Sequence, residues 1–258
     1  MQMRSTVDSP ERQAARQQRE AEWQVRKDLA AAYRLVAHFG WDDLVFTHLS
    51  ARVPGGDHHF LINPYGLLFQ EITASSLVKV DQDGNIVESG SLHRVNPAGF
   101  TIHSAVHMGR EDAGAVMHLH AADGTAVSAH RDGLLPLSQT AMLCLDHLSY
   151  HDYEGVALDL GERERLIRDL GPKQMMILRN HGVLTMGNSV AEAFTYLYFL
   201  MKACEIQVRA QACGPTWMPS QAAIETTREQ SQSLGQAARL TWPALLRLLE
   251  SRGQVYAV

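Results

Sequence analysis

The chain of 258 residues is 45% hydrophobic and 20% charged, with a formal net charge of -5. That slight acidity gives no electrostatic case for nucleic acid or an anionic membrane, and no run of about 18 apolar residues is present to span a bilayer as a helix. Three cysteines, Cys144, Cys204 and Cys213, lack Cys-x-x-Cys spacing, so neither a disulfide framework nor a thiolate zinc site is implied. With no apolar secretory stretch near the N-terminus, the expectation is a globular cytoplasmic protein.

Residues 1–22 are polar and read as a frayed arm, the main domain is expected over 23–214, and a helical tail over 215–258. Val25, Leu29, Ala32, Tyr33 and Val36 recur at helical spacing, and Gly40 marks the stop. The segment from His58 to Tyr65 reads as a strand ended by Asn63-Pro64. Leu77-Val78-Lys79-Val80 and Ile86-Val87, joined through Asp83-Gly84-Asn85, read as a hairpin. Helices are expected from Ala98 to Met108, Ala121 to Ala129, Gly161 to Leu170 and Ser189 to Cys213, the last opened by a Ser189/Glu192 capping box. Thr241-Trp242-Pro243 opens a short amphipathic helix whose apolar stripe needs a partner.

Two apolar runs, Gly114-Ala115-Val116-Met117 and Met175-Met176-Ile177-Leu178, read as buried strands, and each leads to histidine. In an extended strand His118 and His120 share a face while Leu119 turns back toward the core. In Asn180-His181-Gly182 the glycine permits a tight reversal that delivers His181 at the end of the second strand. Buried imidazole is costly unless partnered or ligated, so His118, His120 and His181 read as three neutral ligands of one divalent ion. The competing reading is a chance pair among 13 histidines together with a hydrogen-bonded turn residue.

From Val25 to Gly214 the chain resembles the class II aldolase/adducin superfamily, and within it the adducin head domain and its bacterial relatives. The likeness rests on Phe39-Gly40-Trp41, Phe60-Leu61-Ile62-Asn63-Pro64-Tyr65-Gly66-Leu67-Leu68, Thr73-Ala74-Ser75-Ser76-Leu77-Val78-Lys79, Tyr150-His151-Asp152-Tyr153 and Ala203-Cys204-Glu205-Ile206-Gln207-Val208, and covers roughly three quarters of the chain. It implies an α/β fold in three α/β/α layers with a central, largely antiparallel sheet. It also implies a homotetramer with active sites near subunit interfaces, and a catalytic divalent metal on His118, His120 and His181. Zinc is the first expectation, with manganese, cobalt or iron as alternatives.

The departures from the family pattern bear on the chemistry. Sugar-phosphate aldolases of this superfamily carry a metal-binding glutamate 19 residues before the position of His118, preceded by two phosphate-holding serines; here those positions read Pro97-Ala98-Gly99. The tyrosine of fuculose-phosphate-type aldolases falls near Gln139-Thr140 and is also missing. The resemblance therefore implies a metal-dependent carbon–carbon lyase for a small non-phosphorylated carbonyl or carboxylate substrate, with a non-haem iron oxygenase on an aryl α-keto or hydroxy acid and an adducin-like, actin-cytoskeleton-binding scaffold as alternatives. His48 is expected in the substrate pocket, against a capping or turn role. His103 lies one helical turn beyond Gly99 and is expected as the replacement acid/base, against simple packing in the helix interface. Asn96, Gly99 and His151 complete the expected substrate side, and the remaining histidines considered, His38, His58, His59, His93, His130 and His147, belong to no constellation.

Overall fold

Helix α1 (Pro10–Phe39) starts where Ser9 Oγ accepts the Arg12 N–H and Pro10 takes the first position, and it stops at Gly40, whose φ of 70° is left-handed. Residues 10–22, read from sequence as part of a polar arm, are thus helical. The computed structural model describes residues 9–87, 94–155 and 161–258, and for residues 97–99 the backbone only. Of the sequence-based expectations, His93 lies outside the described residues.

Strands β1 (His48–Arg52), β2 (Phe60–Ile62), β3 (Val78–Val80), β4 (Ala115–Leu119), β5 (Leu148–His151), β6 (Met175–Leu178) and β7 (Gly182–Gly187) form one sheet in the order β3-β2-β1-β4-β7-β6-β5. Every described strand pairing is antiparallel except β5 with β6. The expected hairpin after β3 reduces to a single bridge, Val80 to Ile86.

Alternation along the strands sorts side chains into two layers. Leu49, Ala51, Ala115, Met117, Leu119, Ile177 and Val183 enter the larger core with α1 and α6 (Val190–Ala212). Val116, Met176, Leu178, Leu184 and Met186 face the opposite layer, made of α2 (Pro97–Gly109) and α5 (Glu162–Leu170). Helices α3 (Ala122–Ala129) and α4 (Gln139–Cys144) pack against α6, and the fold is α/β, with helices on both faces of a mixed seven-stranded sheet. Ser189 caps α6 through Oγ as expected, but the Glu192 carboxylate accepts from the Asn188 N–H rather than completing a capping box.

The C-terminal segment folds as α7 (Gln221–Gln230), a 3-10 stretch (Ser231–Ala237) and α8 (Ala238–Ser251). Its apolar stripe docks on the larger core through Trp242 and Leu249, and Trp242 Nε1 donates to Asp28 of α1. Among the described residues no helix is long and apolar enough to cross a membrane.

Candidate metal centre

The three histidines singled out by spacing meet at one point. His118 is on β4, His120 follows its end, and His181 sits in the β6–β7 turn. The Nε2 atoms of His118 and His120 are 3.0 Å apart, and those of His120 and His181 are 2.9 Å apart. One ligand atom from each of the three lies within 4.8 Å of the others. The turn is built differently from expectation. Asn180 carries the left-handed backbone (φ 56°), while Gly182 is needed for space, since a Cβ there would lie 2.2 Å from the Leu119 carbonyl oxygen.

Hydrogen bonding fixes which nitrogens carry protons. His118 Nδ1 donates to the Val183 carbonyl at 3.0 Å, and His120 Nδ1 donates to the Asp43 carboxylate at 3.1 Å. Both partners accept only, so in the neutral rings both Nε2 atoms are bare lone pairs directed at each other. Such a contact is unfavourable unless a proton or a cation lies between the nitrogens. Burial, together with His181 and His120, holds His118 well below the ordinary histidine range, and burial lowers His181 to about 4. Protonation is disfavoured, and donors 2.9–3.0 Å apart span one ion with metal–nitrogen bonds of about 2.0–2.1 Å. The residues present fit a divalent metal.

Of the other predicted residues, His48 and His151 are tied to the cluster by strand pairing and by a shared cleft. His48 on β1 is paired directly across from His118; its Nδ1 lies 2.9 Å from Asn63 Oδ1, and burial pushes its pKa down to about 4. His103 on α2 is buried, with its ring 6.2 Å from that of His48. His151 ends β5, pairs with Asp169 through Nδ1 at 2.8 Å, and lines a small cleft that also includes Tyr153, Arg179 and His181. Asn96 accepts the Phe100 N–H through its carbonyl at the start of α2. Gly99 lies in the first turn of the same helix, within the stretch described by backbone only.

Sequence reasoning missed three contributors. Asp43 holds His120 from a loop in which Leu44 (φ 52°) and Thr47 (φ 67°) adopt left-handed backbone; with Asn180 these strained residues bracket the cluster, at about 1–3 kcal/mol each. Ser50 and His107 also escaped notice, although Ser50 follows His48 at the same period of two that revealed His118 and His120.

The sequence profile of the family described as Class II Aldolase and Adducin N-terminal domain matches residues 27–208. The chain belongs to this family. A solved aldolase II superfamily protein from Pseudomonas syringae superimposes with a TM-score of 0.88 and 52% identity, over 92% of this chain and 96% of that one. An L-fuculose 1-phosphate aldolase from Glaciozyma antarctica PI12 superimposes with a TM-score of 0.79 and 29% identity, over 91% and 92%. Alpha-adducin of Rattus norvegicus is 51% identical over 195 residues, which are 74% of this chain and 26% of adducin.

Proposed function

We propose that the chain is a divalent-metal-dependent lyase acting on a small, non-phosphorylated carbonyl or carboxylate substrate by retro-aldol cleavage or decarboxylation, and that it works in the cytoplasm as a homotetramer. The observation that carries this reading is the convergence of imidazole nitrogens from His118, His120 and His181, with those of His118 and His120 bare lone pairs directed at each other. Neutral donors leave the charge of a divalent ion undiminished, which favours an anionic, bidentate ligand. When bound, the ion supplies Lewis acidity to a substrate oxygen, and zinc is the first choice among zinc, manganese, cobalt and iron. His103 is assigned as proton acceptor, His48 as pocket wall and second proton carrier, and Asn96, Gly99 and His151 as substrate contacts.

A second reading, a non-catalytic oligomeric scaffold, is favoured by the 51% identity to alpha-adducin. Turnover separates the two. The metal-loaded chain is assayed against α-keto acids, hydroxy acids and sugar phosphates, with and without a chelator. Chelator-sensitive carbon–carbon cleavage of a non-phosphorylated acid is expected. Saturable cleavage of a sugar phosphate would reverse the substrate class, oxygen uptake by iron-loaded protein would replace the lyase by an oxygenase, and full metal occupancy without turnover of any compound would favour the scaffold.

A further inference from the structure

Behind His103 lies a hydrogen-bonded chain with only one consistent arrangement of protons. His107 Nδ1 faces the Ala113 carbonyl at 2.9 Å, so this nitrogen carries the proton and Nε2 is bare. Ser50 Oγ lies 2.7 Å from that bare nitrogen and must donate to it. The serine oxygen then accepts, and His103 Nδ1, 2.6 Å away, is the atom that donates to it. A neutral His103 is left with its proton on Nδ1 and a bare Nε2. Among the described residues this buried Nε2 has no hydrogen-bond partner, an arrangement that costs about 1–3 kcal/mol unless something else uses the lone pair.

We propose that Ser50 and His107 are positioning residues that lock His103 in this tautomer, presenting its Nε2 as the acceptor for a substrate proton. This rests on the assignment of His103 as proton acceptor in the lyase reading. The ring centroid stands 6.2 Å from that of His48, which pairs across the sheet from His118. During the reaction a substrate O–H bond breaks, its proton passes to His103 Nε2, and its electron pair stays with the substrate oxygen; in the reverse direction the same proton returns. Burial opposes a charge on His103 and His107 alike, and the proton taken up stays on His103 because the chain behind it ends at the Ala113 carbonyl, which accepts a hydrogen bond but not a proton. The chain Ser50–His107–Ala113 is therefore a lock and not a conduit. It fits a substrate that presents a hydroxyl to be deprotonated, as a β-hydroxy carbonyl compound does in retro-aldol cleavage.

The test is long-range proton–nitrogen NMR of the full chain with labelled histidine, metal-free and zinc-loaded, with His103 and His107 assigned through His103→Gln and His107→Gln. Both rings are expected to carry protons on Nδ1. Ser50→Ala should move the His103 proton to Nε2 or spread it over both nitrogens, with metal content unchanged and kcat falling roughly a hundredfold at nearly constant KM. Ser50→Thr, which keeps the hydroxyl, should restore tautomer and turnover. A wild-type His103 protonated on Nε2 overturns the lock whether or not Ser50→Ala folds, as does a Ser50→Ala tautomer identical to wild type. The locked tautomer in a chain that turns nothing over would uphold the lock and refute the lyase.

Discussion

The carboxylate of Asp43 accepts a hydrogen bond from His120 Nδ1 at 3.1 Å, although the two residues are 77 positions apart and neither lies within a helix or strand. A carboxylate behind a metal-binding imidazole fixes its tautomer and raises its basicity. Asp43 is 42% exposed at the side chain, so its replacement should not disturb the core.

Asp43→Asn is accordingly expected to weaken divalent-metal affinity by roughly 10- to 100-fold while leaving the unfolding midpoint of the metal-free chain within about 0.5 kcal/mol of wild type. Competition against a chromophoric chelator measures the first and urea titration the second. An unchanged affinity would remove Asp43 from the site.

Gly182→Ala should be far more damaging than a surface glycine change, because the new Cβ would lie 2.2 Å from the Leu119 carbonyl oxygen, beside the histidine pair. A loss of about 1–3 kcal/mol of stability is expected, together with reduced metal content. Urea unfolding with metal analysis of the same samples checks both, and a neutral substitution would mean that β4 and β7 are not so closely joined at this end.

The convergence of the three histidines was legible because a period of two is a robust property of strands, and the apolar runs before His118 and His181 marked where those strands lie. Strand β1 was not recognised: His48, Ser50 and Arg52 are polar and alternate with Leu49 and Ala51, so a short strand with a polar inner face looks like loop. Strand β7 was hidden because Gly182 reads as a turn when its role is close approach to Leu119. Asp43 carried no local signal, since its placement depends on left-handed backbone at Leu44 and Thr47.

Acid should destabilise the chain through its buried histidines. His107 is held neutral down to about pH 3 in the fold, whereas an unfolded histidine takes up its proton near 6.5. Between these values the unfolded state binds more protons, so stability present above pH 6.5 is lost as pH falls. In chelator, His107→Gln should lower the slope of unfolding free energy against pH, measured from pH 6 to 4.5, by about 1.4 kcal/mol per pH unit. An unaltered slope would mean that His107 is charged or exposed.

Position 99 shares a helix face with His103 one turn away, so Gly99→Glu is expected to bring a carboxylate to the metal. Metal binding should tighten, anionic ligands should bind more weakly and turnover should fall, because one coordination position and one unit of charge are consumed. Isothermal titration with zinc and then with an α-keto acid reads each effect. No change in any of the three would show that position 99 faces away from the site.

If His118, His120 and His181 form one divalent-metal site, the metal stoichiometry of the chain must follow them. Protein purified without chelator or affinity metal is analysed for zinc, manganese, iron and cobalt by mass spectrometry, as wild type, as each single alanine variant and as His118→Ala/His120→Ala. One divalent ion per wild-type chain is expected, with a marked loss in each single variant and none in the double variant. One ion per chain retained in the folded double variant would contradict it.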